Sequence, residues 1–157
     1  MDTLEENNES QSSRQKEIKL EDDIHRVLVM LIPGHSKTVC EYAHFEIKGK
    51  KFASAKTTYC NSIVYFQPTS DDVLVPGIIR KIFEAGDKPS VFLAIHRYLP
   101  VHNDPFKKYL GFGATVSWKA TIDQVEIVPA TNRVYTANQR PWGKDCIVSH
   151  PLIEVRC

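Results

Sequence analysis

Asn61–Pro100 reads NSIVYFQPTSDDVLVPGIIRKIFEAGDKPSVFLAIHRYLP, and the alternation inside it decides the fold class. Ile63–Phe66 is a short run of β-branched and aromatic residues, the composition that suits a buried pleated surface. Gln67–Asp72 follows with Pro68 and paired aspartates, which favour a turn. The chain resumes as Val73–Phe83, where Pro76-Gly77 marks a kink or a strand start because proline has no N–H for a ladder. Glu84–Pro89 is a glycine-containing loop of hairpin length, and in Val91–Leu99 the set Val91, Leu93, Ile95 alternates with Phe92, Ala94, His96. The pattern predicts a three-stranded antiparallel meander.

Totals narrow the rest. The chain has 157 residues, 42% hydrophobic and 25% charged, values of a globular protein with room for one ordinary core. No apolar run approaches the ~18 residues that span a bilayer. Met1–Gln15 has neither a basic nor an apolar leader region, so a nuclear or cytoplasmic location is expected, with no membrane partner. Cys40, Cys60, Cys146 and Cys157 form no C-x-x-C pair and read as free thiols, mostly packed. Residues 1–23 carry eight acids against Arg14, Lys16 and Lys19, a charge of −5; since the whole chain is +1, the remainder carries +6. Residues 1–22 are too polar to offset their ordering entropy and are expected as a disordered acidic tail, with a single β-rich domain over 23–157.

Outward from the meander, Ile24, Val27, Leu28 and Leu31 fall on one helical face, with Asp22 or Asp23 to cap the start and Pro33-Gly34 to end it. The β-branched content of Ile24–Ile32 leaves a buried strand open as well. Phe45-Glu46-Ile47 and Lys51-Phe52-Ala53 flank Lys48-Gly49-Lys50, a hairpin signal. Beyond Pro100, residues 101–113 read as a long loop with one helical turn at Pro105–Tyr109. Thr115–Trp118 and Gln124–Val128 read as separate strands, Ala137–Gly143 as a loop and Cys146–Ser149 as a closing strand. The class is mainly β: a small bent sheet or SH3-like β-barrel with one or two short helices. Its core should contain Ile63, Tyr65, Ile79, Ile82, Leu93, Ile95, Val125, Ile127 and Val148.

Chemistry-bearing patterns are sparse. His35, Cys40 and His44 lie close together, and His96 and His102 are six apart, but none has the paired spacing of a structural zinc site, so no metal is expected. A nucleophile elbow and a phosphate-cradling glycine loop are both missing from the sequence, and no catalytic residues or cofactor are assigned. A hydrolase would need His96 or His102 to converge with Asp104. Lys48, Lys50 and Lys51, interleaved with Phe45, Phe52 and Tyr59, are the candidate nucleic-acid contacts; the competing reading has the rings in the core and the lysines in water. Tyr65, Tyr98, Trp118 and Trp142 are the candidate rings of a ligand cage, where a cation would sit against π faces, or else ordinary core residues.

Ser62–Pro100 resembles the centre of bromo-adjacent homology (BAH) domains: a strand like Ser62–Phe66, a proline-bounded strand like Val75–Phe83, then one ending in arginine, aromatic and proline as Arg97-Tyr98-Leu99-Pro100 does. Asp123–Pro129 and Gly143–Val148 resemble that family's late segments. The resemblance implies a non-catalytic SH3-like barrel that binds chromatin proteins or histone tails, in the nucleus. The same order of elements is also similar to accessory β-domains of transposase-like mobile-element proteins, which implies a nucleic-acid-binding accessory domain or remnant. Both resemblances agree on the fold and on the lack of catalysis.

Overall fold

The computed structural model describes residues 15–68, 74–88, 90–100, 116–142 and 146–151, with side chains described for all but 99–100, 116–124, 138–142 and 146–151. Its strands are β1 (Gln15–Lys19), β2 (Thr38–Tyr42), β3 (His44–Ile47), β4 (Lys50–Ala53), β5 (Ile63–Phe66), β6 (Val75–Ala85), β7 (Ser90–Pro100), β8 (Val116–Pro129), β9 (Val134–Trp142) and β10 (Cys146–Pro151). A helix, α1, spans Asp22–Leu31, and a single 3-10 turn spans Tyr59–Asn61.

The expected meander forms: β5 pairs antiparallel with β6, and β6 with β7. β6 organises the sheet because it is long enough to hold several neighbours at once. β7 runs along one side of it, while β5 takes Val75–Ile78 and β2 takes Phe83 and Glu84 on the other. The strand order is β1-β2-β6-β5-β9-β10-β8-β7, and the further β6–β7 pairing makes the ladder return on itself. The fold is therefore mainly β and built on a strongly bent sheet, as the sequence predicts.

Apolar side chains fill both faces of the central strands, which is why their sequences read as nearly continuous hydrophobic runs. One face gathers Val64, Phe66, Ile79, Ile82, Leu93, Ile95 and Val128, roofed by Phe52 and by half-buried Phe45 and Ile47. The opposite face carries Phe83, Ala85, Ala94, Val125 and Ile127, and α1 covers it with Ile24 and Leu28. All the expected core residues with described side chains are buried, from Ile63 to Ile127; the side chain of Val148 lies outside the described set.

Five expectations are corrected. Residues 15–22 are not part of a disordered leader: Gln15–Lys19 pairs with β2, and Leu20 is buried against α1's layer, so two apolar residues and a ladder anchor an otherwise polar stretch. The helix wins over the strand for 24–31, but its N-cap is Glu21 rather than an aspartate, and Leu31 at the end of the expected apolar face is 46% exposed because that face outruns its sheet. Val116–Pro129 is one strand rather than two, held continuous by β7 along its C-terminal half and β10 along its N-terminal end. Ala137–Trp142 is strand rather than loop, because β10 pairs with it throughout and carries Pro141 opposite Ile147. The second strand of the meander begins at Val75. The expected turn at Pro105–Tyr109 falls outside the described residues.

Candidate binding groove

β3 and β4 form a separate two-stranded sheet, joined by Lys48 and Gly49 with φ of 50° and 80°. Two successive positive φ values are the signature of a type I′ turn, whose twist matches the flanking strands; Gly49 supplies its value without steric cost, and Lys48 is held there by the hairpin. Phe52, 1% exposed, plugs the hairpin into the core, and Phe45 meets Tyr42 edge-on at 5.7 Å. The hairpin is thus fixed through its aromatic face while its tip stands in solvent.

Facing it is the turn between β8 and β9. That turn is tied down by backbone bonds: Ala130 N–H donates to Val91 C=O at 2.9 Å, Asn132 N–H to Pro129 C=O at 3.0 Å, and Gln67 N–H to Arg133 C=O at 2.9 Å. Between hairpin and turn runs a groove of about 720 Å³, with Phe45, Glu46, Ile47 and Lys48 on one side, Ser90–Phe92 at its base and Pro129–Tyr135 on the other. Its lining is largely apolar, with Lys48 and Arg133 as cations; the Arg133 guanidinium lies 6.0 Å from the centre of the Tyr135 ring. This size and composition match sites that hold an apolar body and orient it by a few polar groups.

The rings singled out from sequence lie elsewhere. Tyr65 on β5 is 2% exposed and packs with Ile63 and Ala137, and Tyr98 on β7 is 4% exposed, with β6 between their strands. Both are interior. Trp118 and Trp142 contribute backbone to β8 and β9, and their side chains are outside the described set. Lys48, Lys50 and Lys51 are brought together at the hairpin tip, all exposed. Of the rings beside them, Phe52 is buried and Phe45 half-buried, while Tyr59 is 53% exposed.

A charged cluster that the sequence did not announce sits at the start of α1. The β6–β7 register slips between Ile79 and Lys81, so Arg80 is an extra residue that bulges from the ladder. Its guanidinium pairs with Glu21 and with Asp23 (2.6 Å), and Nη1 also lies 3.0 Å from His96 Nε2. Burial, and then the neighbouring Arg80 charge, lower the His96 pKa from its ordinary value against an opposing pull from Asp23. Past the C-terminal end of α1, His35 Nε2 accepts from Gly86 N–H at 3.3 Å and Nδ1 donates to Ser36 C=O at 2.7 Å; Cys40 and Cys60 are exposed thiols rather than packed ones. Among the described residues no three His, Cys, Asp or Glu side chains converge as a metal set, and no helix is long and apolar enough to cross a membrane. His102 and Asp104 lie outside the described residues.

Compared with known proteins, the chain matches no family model, no curated protein and no solved structure.

Proposed function

We propose that this chain is a non-catalytic, BAH-like interaction module of the nucleus whose groove between the β3–β4 hairpin and the β8–β9 turn binds a segment of a chromatin protein. The groove itself carries the reading: it is large, mostly apolar, and walled by elements that are fastened to the core rather than free to collapse. Its described lining offers hydroxyls, an amide, Glu46 and two cations, and neither a histidine nor a cysteine to act as base or nucleophile. That composition favours binding over chemistry. The rings of Tyr65 and Tyr98 are buried in the interior and so do not form an exposed cage for a methylated histone tail.

The test is isothermal titration of peptides tiling chromatin proteins, histone tails included, into the wild-type chain and into Val91→Trp, which places an indole in the groove. Heat from at least one peptide, lost in the variant, is the expected result. Wild-type protein that gives no heat with any peptide would refute the reading.

A second reading, a nucleic-acid-binding accessory domain, is favoured by the grouping of Lys48, Lys50 and Lys51 at one tip. It predicts retention on single-stranded DNA or RNA that weakens steeply with salt, and a drop when the three lysines become glutamine.

A further inference from the structure

We infer, taking the groove as the binding site proposed above, that its ligand is an extended segment added as a strand on the outer edge of β3, and that this segment alternates apolar side chains with carboxylates. Phe45, Glu46, Ile47 and Lys48 line the groove as consecutive residues. A strand presents alternate residues across a face, so an unbroken run means that the groove follows the strand's edge. That edge is open among the described residues, because β3 has β4 as its sole strand neighbour.

Register then says which groups are on offer. Ile47 faces Lys50 across the two-residue turn and so exchanges both backbone bonds with it; Phe45 and Phe52 repeat that pairing two residues on. The N–H and C=O of His44 and Glu46 consequently point away from β4, toward the groove side. An added strand would satisfy them over the roughly 13 Å that four residues span.

Charge selects the side chains. Lys48 stands on the hairpin wall and Arg133 on the opposite one, while the carboxylate in the described lining, Glu46, is matched in register to Lys51 on β4. A lysine-rich segment would meet two like charges; a carboxylate-bearing one meets two partners, with the apolar side chain of Val91 beside its other side chains.

The probe is a fluorescein-labelled ten-residue peptide alternating valine and glutamate, read by fluorescence anisotropy against the full chain. Its controls are the same peptide N-methylated at alternate residues, which cannot complete the ladder, and a valine–lysine peptide. The expected result is binding of the first alone, weakened about tenfold or more in Lys48→Glu/Arg133→Glu, whose substituted side chains are exposed and leave the core untouched. Equal binding of the N-methylated peptide, or preference for the lysine peptide, with either still lost in Val91→Trp, would overturn the edge-strand inference and leave the groove standing. Failure of every peptide here, beside heat from a tiled chromatin peptide, would likewise overturn the edge-strand inference alone, whereas binding that Val91→Trp does not change, or capture of a single-stranded oligonucleotide that displaces the peptide, would overturn both.

Discussion

Arg80 Nη1 lies 3.0 Å from His96 Nε2 across the register slip of β6 and β7, and the donor can only be the guanidinium. Accepting that bond places the His96 proton on Nδ1, an atom buried without a hydrogen-bond partner among the described residues. A second positive charge on the ring would face Arg80 at contact distance, so the folded state resists protonation more than the unfolded chain does.

Stability should accordingly depend on pH in a stated direction. The folded pKa of His96 lies below its ordinary value of 6.5, so the stabilisation is complete above 6.5 and is lost as pH falls below it. Urea midpoints measured from pH 8 to pH 5 should decline, and His96→Gln should flatten that decline. A midpoint that rises on acidification would show that the ring is charged in the fold.

Tyr42 titrates at the other extreme. Its hydroxyl donates to Glu84 at 2.6 Å and accepts from Gln15 at 2.9 Å, and burial followed by the Glu84 bond pushes its pKa up to about 12. Ultraviolet titration should find a tyrosine that ionises at about pH 12, and Tyr42→Phe should remove that step. Because the folded pKa is raised, its stabilisation holds below pH 10 and is lost as pH climbs toward 12. Tyr42→Phe should cost about 1 kcal/mol and loosen β1, visible as faster amide exchange at Gln15–Lys19.

Gly77 has no room for a methyl group. An added Cβ would stand 2.7 Å from the His96 carbonyl oxygen, 2.7 Å from Ile95 Cγ2 and 2.9 Å from Phe66 Cε1. The carbonyl belongs to the ladder and cannot swing aside, so Gly77→Ala should destabilise by about 1–3 kcal/mol in chemical denaturation. A variant as stable as wild type would mean that β6 and β7 are further apart than described.

Ile95 is fully buried among Ile79, Leu93 and Val128. Ile95→Ala should cost about 2–5 kcal/mol, depending on how far its neighbours close in. An unmoved unfolding midpoint would contradict the strand register.

The meander was legible because its strands are short runs of β-branched and aromatic residues, buried on both faces and separated by turn residues, and that composition is local. Ile63, Ile79, Leu93 and Ile95 could be assigned to the interior on that ground alone. The hairpin was legible for a different reason: Lys48-Gly49 occupies a turn that only a few residue pairs tolerate. The strand at Ala137–Trp142 was not, since Asn138, Gln139, Arg140 and Pro141 have poor strand composition and are held extended by β10 beside them. The groove was equally hidden. Arg133 and Lys48 are 85 positions apart, and nothing local to either says that they share a cleft.

Alternation and turn chemistry by themselves determined that this chain is β-rich, where its central strands run, and which aliphatic residues fill its interior, because burial of a pleated face is a local demand. What the tertiary structure decided is which edges and charges meet: that β3 has one strand neighbour among the described residues, that Arg80 bulges onto His96 and the start of α1, and that the hairpin stands across from the β8–β9 turn. Those outcomes follow from strand pairing over long sequence separations, where the sheet's curvature and register, rather than any residue's own preference, set what lies next to what.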